Sequence, residues 1–291
     1  MKYLLTLIGN PLTQSQVGVV RAALPNAGEP DWLAAEKACD LPIDGGDAAA
    51  HEAAARTALD GAPVDLIAQP AAGRRRKLLI ADMDSTIITV ECIDELADMI
   101  GRKAEVAAIT ETAMRGEIDF AGALRRRAAM LAGLPTADLS RCYDERVRLS
   151  PGARTLVQTM RHHGAHTALV SGGFSYFTAR VRDAAGFHED QANRLAIADG
   201  ALTGEIEDPV LDSSAKLTAL QRLLSAHRLD ADTALAVGDG ANDREMVGAA
   251  GLGVAYHAKP VLAEAARARI DHNDLTALLY MQGYRADEFR P

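Results

Sequence analysis

At 291 residues with 48% hydrophobic side chains, the chain can bury one large core and a second, smaller one. Its 31 basic and 40 acidic residues give a formal charge of −9, which supplies no basic footprint and argues against a nucleic-acid partner. An anionic ligand would need a locally positive site. Cys39, Cys92 and Cys142 lack CxxC spacing and leave an odd count for disulfide pairing, as expected of buried thiols in a reducing compartment. The apolar run Tyr3–Ile8 stops at Gly9-Asn10-Pro11, too short for a secretory signal, and no stretch reaches the length of a membrane span; the expected setting is cytoplasmic, with no membrane partner.

In chain order, residues 1–72 read as a small α+β domain. A strand is expected at Tyr3–Ile8, a helix at about Thr13–Leu24, strand material near Asp31–Ala38, a helix at about Asp47–Leu59 and a strand at Val64–Gln69. The run from Gln69 through Gly73 to Arg76 reads as a linker, and its basic residues as a solvated charge run. Residues 73–291 alternate short apolar runs with helical patterns. Leu78–Ala81, Ala168–Val170, Ala234–Val237 and Leu252–Ala255 suit central strands of a parallel sheet covered by helices on both faces. The first three lead into Asp82-Met83-Asp84, Ser171-Gly172-Gly173 and Gly238-Asp239-Gly240. Ligands in such sheets bind beyond the carboxyl ends of strands, so these segments should converge. From about residue 89 to 149 only helical periodicity remains, in Glu91–Ile100, Lys103–Arg115, Asp119–Leu131 and Thr136–Arg146. An all-helical insertion directly after a catalytic turn reads as a cap over the site.

Asp82 and Asp84 can divide a phosphoryl displacement between a carboxylate nucleophile and a general acid and base, although an isolated Asp-x-Asp equally suits helix capping. Asp239 and Asp243 add hard oxygen ligands. Mg²⁺, which takes few carboxylates, would be satisfied by Asp82, the backbone carbonyl of Asp84, and Asp239. Ser171-Gly172-Gly173 offers a hydroxyl and open backbone N–H groups to a phosphoryl oxygen, and Lys216 offers a point positive charge. His162, His163 and His166 show no His-x-x-x-His ligand spacing, so no zinc site is expected from them, and His257 has no assigned role.

These four elements stand in the order and approximate spacing of the haloacid dehalogenase superfamily, a resemblance covering about residues 75–291 and implying a Rossmann-like sheet. Within it the chain resembles the phosphoserine phosphatase family. That likeness rests on Glu91-Cys92-Ile93-Asp94-Glu95, on the segment from Ala113 to Phe120, on Arg125-Arg126-Arg127, and on the segment from Ala250 to Pro260. The resemblance implies hydrolysis of O-phosphoserine to serine and phosphate, the last step of serine biosynthesis, through a phosphorylated Asp82, with Asp84 as acid and base. It implies Mg²⁺ on Asp82, Asp84 and Asp239, with Asp243 in support. Ser171, Gly172, Lys216 and Asn242 would bind the phosphoryl group, Glu91 the ammonium and Arg127 the carboxylate, with Met114 and Phe120 closing over the substrate. Related phosphomonoesters, transfer to an alcohol and amino-acid sensing remain as alternatives. Residues 1–72 resemble the small ACT-type domains of some family members, which would allow a homodimer through this segment.

Overall fold

The structure, a computed structural model, describes residues 2–114 and 117–291; the side chain of Met114 lies outside the described residues, as do Arg115 and Gly116. The N-terminal sheet contains β1 (Lys2–Gly9), β2 (Asp31–Ala34), β3 (Ala38–Asp44) and β4 (Val64–Pro70), antiparallel in the order β2-β3-β1-β4. Leu5 and Leu7 of β1 face a core that also takes Val17 and Val20 of α1 (Gln14–Ala23) and Ala55 and Leu59 of α2 (Ala48–Leu59). Thr13 and Asp47 cap the two helices through their side chains.

The strand material expected near Asp31–Ala38 corresponds to β2, and the sequence reading missed β3, which follows a turn at Glu36 in the left-handed region (φ 56°). Pro42 masks β3 in the sequence, since proline argues against an interior strand. The structure explains its tolerance. β2 pairs only with Ala38–Asp40, and the carbonyl of Pro42 accepts the Gly28 N–H at 2.8 Å. The missing N–H of Pro42 therefore points to the side where the neighbouring strand has ended.

The other face of this sheet, through Ile8, Ala38 and Ile67, joins the main core. Asp65 fastens it, accepting the backbone N–H groups of Asp271 (2.9 Å), His272 (3.3 Å) and Asn273 (3.1 Å).

The second sheet is parallel, in the order β12-β11-β10-β5-β6-β7. Its central strand is β5 (Leu78–Ala81). Four helices follow β5: α3 (Cys92–Met99), α4 (Lys103–Met114), α5 (Phe120–Ala129) and α6 (Thr136–Arg146). This insertion leaves and returns through one bridge between Ile88 and Leu149, flanked by Thr89 N–H to Arg148 O (3.1 Å) and Ser150 N–H to Ile87 O (2.9 Å). Next come α7 (Ala153–His162), β6 (His166–Phe174), α8 (Ser175–Ala185), β7 (Glu189–Asn193), and a hairpin of β8 (Leu195–Ala198) and β9 (Ala201–Ile206). The chain continues as α9 (Ser213–His227), β10 (Ala234–Gly238), α10 (Arg244–Ala249), β11 (Leu252–Tyr256), α11 (Pro260–Ala265), β12 (Ala268–Ile270) and α12 (Ala277–Met281). Period-two alternation covers both faces of the sheet: Leu79, Leu169 and Val237 enter one core, and Ile80, Ala168 and Ala236 enter the other. Because β10, β5 and β6 are adjacent and parallel, their carboxyl ends bring Asp239, Asp82 and Ser171 to one edge.

Candidate active site

Asp82 continues β5, its N–H bonded to Val237 O at 3.0 Å. The chain then makes a wide turn closed by Ile88 N–H to Met83 O (3.0 Å), with Ser85 in the left-handed region at φ 54°. That conformation is uncommon for a residue with a side chain. Here Ser85 is held by its hydroxyl, which donates to Glu91 Oε1 at 2.7 Å. The turn brings Asp84 back to the sheet edge, where Oδ1 accepts Cys92 N–H at 2.9 Å and Oδ2 accepts the Ser171 hydroxyl at 3.1 Å.

Lys216 arrives from the first turn of α9, which Asp212 caps by accepting Ser214 N–H at 2.9 Å. Its side chain is 2% exposed, and Nζ stands 2.7 Å from Asp82 Oδ1 and 2.5 Å from Asp243 Oδ1. Asp243 is fixed in turn, since Oδ2 accepts the N–H groups of Asp239 (3.2 Å) and Gly240 (3.1 Å). Burial alone would drive a proton off Lys216, but Asp243 and Asp82 outweigh it and hold the ammonium above its ordinary pKa. Burial and then Asp243 push Asp82 well above the carboxylate range, against the pull of Lys216. Burial and Glu91 raise Asp84 to about 7, and burial and Asp243 raise Asp239 to about 6.

Asp82 and Asp243 thus share one buried ammonium, Asp84 and Asp239 are buried close by, and Lys259 Nζ reaches Asp239 Oδ2 at 3.8 Å. The arrangement is short of positive charge. Oxygens of Asp82, Asp239 and Asp243 lie within 4.8 Å of one another, so this hard donor set fits a divalent cation of the Mg²⁺ type.

Ser171-Gly172-Gly173, read in the sequence as a turn, lies inside β6, where the register with β7 breaks between Val170 and Phe174. Gly173 N–H donates to Ser171 Oγ at 2.8 Å. A Cβ on Gly172 would come within 2.8 Å of the Phe120 ring, and one on Gly173 within 2.8 Å of Asp84 Oδ2, so a side chain at either position would displace Phe120 or Asp84.

Asn193 has no counterpart in the sequence reading. Only 2% exposed, it donates from Nδ2 to Gly172 O (2.9 Å) and Leu211 O (3.1 Å) and accepts Leu211 N–H at 2.7 Å. It ties the Ser-Gly-Gly segment to the loop that delivers α9. Its strand, Glu-Asp-Gln-Ala-Asn, carries no apolar alternation that would have drawn notice.

These groups open on a cavity of about 410 Å³ between the sheet edge and the helical insertion. Asp82, Asp84, Ser171, Gly172, Asp239 and Asn242 line one side; Glu91, Phe120 and Arg127 line the other. Lys216 and Asp243 are set behind the wall rather than on it. Met114 ends α4, and its expected closure over the substrate lies outside the described residues. Arg127 Nε is buried without a hydrogen-bond partner among the described residues. Burial lowers its pKa, opposed by Asp94, Glu91 and Asp84.

The sequence model of the haloacid dehalogenase-like hydrolases matches residues 79–247. A phosphoserine phosphatase of Polaromonas sp. is 48% identical over 70% of this chain and 88% of that protein. A phosphoserine phosphatase of Streptomyces coelicolor is 37% identical over 98% of this chain and 71% of its own length. Among solved structures, a haloacid-dehalogenase-family hydrolase of Salmonella enterica serovar Typhi superposes with a TM-score of 0.86 at 28% identity, covering 97% of this chain and 98% of that one. The chain therefore belongs to the haloacid dehalogenase-like hydrolases, in their phosphoserine phosphatase family.

Proposed function

We propose that this protein hydrolyses O-phosphoserine to serine and inorganic phosphate through an aspartyl phosphate on Asp82. The observation that carries the reading is the charge layout of one cavity: carboxylates and a Ser-Gly-Gly segment on the sheet side, one acid and one base, Glu91 and Arg127, on the helical side. Phosphoserine presents the matching set, a phosphate at one end and an ammonium and a carboxylate at the other. An Arg fork grips a carboxylate at two points, and Glu91 opposes the ammonium.

Asp82 Oδ1 is engaged by Met83 N–H at 2.8 Å and by Lys216, which leaves Oδ2 to attack phosphorus. The new O–P bond forms as the bond to the seryl oxygen breaks. Asp84, with its pKa near 7, delivers the proton that the seryl oxygen needs and takes one back from the water that opens the acyl phosphate. Lys216 opposes the rise in the Asp82 pKa and so favours the ionised nucleophile, and its third N–H remains for the phosphoryl group. Ser171 Oγ, the backbone N–H groups beside Gly172, and Asn242 face the equatorial oxygens, where charge develops. Asp82, the Asp84 carbonyl and Asp239, with Asp243 in support, would hold Mg²⁺, which supplies neutralising charge and polarises the phosphoryl group when bound. Phe120, packed over Gly172, excludes water from the first displacement.

Among the described residues no helix is long and apolar enough to cross a membrane, and the three cysteines are buried and unpaired, which supports the cytoplasmic reading. Phosphate release from O-phosphoserine, phosphothreonine and an aryl phosphate tests the assignment. Phosphoserine should give the highest kcat/KM, and equal values on all three would refute the substrate.

A further inference from the structure

A second cluster of ligating side chains stands at the opposite end of the parallel sheet. His166 opens β6, Glu189 opens β7, and His227 ends α9. His166 Nε2 lies 2.8 Å from Glu189 Oε1, the His166 and His227 ring centroids are 4.0 Å apart, and one ligand atom from each of the three residues falls within 4.8 Å of the others. The other oxygen of Glu189 is held by Arg222 at 2.9 Å. His188 stacks on His166 with centroids 4.7 Å apart, while its Nδ1 accepts Thr167 N–H at 3.1 Å.

We propose that His166, Glu189 and His227 form a second metal site, selective for a borderline transition cation such as Zn²⁺ over Mg²⁺. Two imidazole nitrogens and one carboxylate oxygen are a zinc donor set with positions left for water, whereas the Asp82 site offers only oxygens. Ligand softness therefore sorts the two ions between the two sites. Donors of a tetrahedral site with bonds of about 2.1 Å stand roughly 3.4 Å apart. His227, exposed at the end of its helix, can close the remaining gap by a side-chain rotation. Arg222 holds the far oxygen of Glu189 and fixes the carboxylate's direction, the part that outer partners play at metal sites. The three ligands are 23 and 38 residues apart along the chain, at His166, Glu189 and His227, so no spacing pattern betrays them. A bound ion would pin the last turn of α9 to β6 and β7, and the first turn of the same helix carries Lys216.

The test is a titration of the full chain with zinc chloride against a chromophoric chelator, in excess Mg²⁺ so that the Asp82 site is filled. The expected result is one equivalent of zinc, with affinity falling in His227→Ala by more than the roughly 10-fold that loss of an outer hydrogen bond costs. Zinc should raise the Tm of the wild type and not of His227→Ala, whose Mg²⁺-dependent activity should equal the wild type's. Because His227 is exposed, this variant should fold; His166→Gln should show the same loss of zinc affinity. No zinc binding under excess Mg²⁺, or equal affinity in wild type and His227→Ala, would overturn the proposal, and neither outcome bears on the substrate assignment.

Discussion

Lys216 Nζ stands 2.7 Å from Asp82 Oδ1, with both side chains almost wholly removed from water. A buried ion pair of this kind is costly to break, because the surviving carboxylate loses both its solvation and its counter-charge. In Lys216→Met, Asp82 and Asp243 are left without their shared cation. The expected outcome is a loss of at least about 100-fold in kcat, with the metal-free protein destabilised by roughly 3 kcal/mol in urea unfolding. Retention of a tenth of the wild-type kcat would exclude Lys216 from the machinery.

The raised pKa values of Asp84, about 7, and Asp239, about 6, carry a stability consequence. Each carboxyl binds its proton more tightly folded than unfolded, where it titrates near 3.9. The stability they contribute is therefore greatest at low pH and is lost as pH rises through 6 and 7. In Asp84→Asn the neutral form persists at every pH. The variant should lose about 10²–10⁴-fold in kcat and, without metal at pH 8, unfold at a higher temperature than the wild type. The gain is bounded on the order of 4 kcal/mol by the size of the Asp84 shift. A lower metal-free Tm at pH 8 would contradict this account of Asp84.

Why some of this was legible in the sequence and some not follows from where the signals reside. Leu78–Ala81 and Ala234–Gly238 are fully buried apolar strands ending in carboxylates, and that pattern survives in one dimension. The helices over the site announce themselves through apolar periodicity and an Asp119 cap. The edge strand β7 is polar and β12 only three residues long, so neither stands out. β3 was hidden by Pro42, harmless only because β2 ends first. For the site, residue types alone offered Asp82, Asp84 and Lys216 only as weak candidates, and the motifs taken together, with the family resemblance they carry, nominated them. They could not disclose that Lys216 reaches two carboxylates from behind the cavity wall, or that Asn193 braces Gly172 from the neighbouring strand β7.

Arg127 is the residue on which the substrate reading most depends. Arg127 lines the cavity, and its buried Nε lacks a partner among the described residues. Arg127→Ala should lower kcat/KM on O-phosphoserine by about 30-fold or more, the range of a lost charge-assisted pair, and change activity on an aryl phosphate by less than about threefold. Equal losses on both substrates would remove Arg127 from carboxylate recognition.

Asn193→Ala removes three buried hydrogen bonds and orphans Gly172 O together with both backbone groups of Leu211. A cost of about 2–3 kcal/mol in urea unfolding is expected, with kcat falling about 10-fold as the Ser171 segment loosens. An unchanged kcat at normal stability would mean that the brace does not position the site.

The most direct test of the whole account is whether phosphate passes through Asp82. Acid-quenched turnover of phosphate-labelled O-phosphoserine should leave label on the wild-type chain that hydroxylamine releases. Asp82→Asn should carry none and release no phosphate. Phosphate release by Asp82→Asn at a rate near that of the wild type would contradict the aspartyl-phosphate mechanism outright.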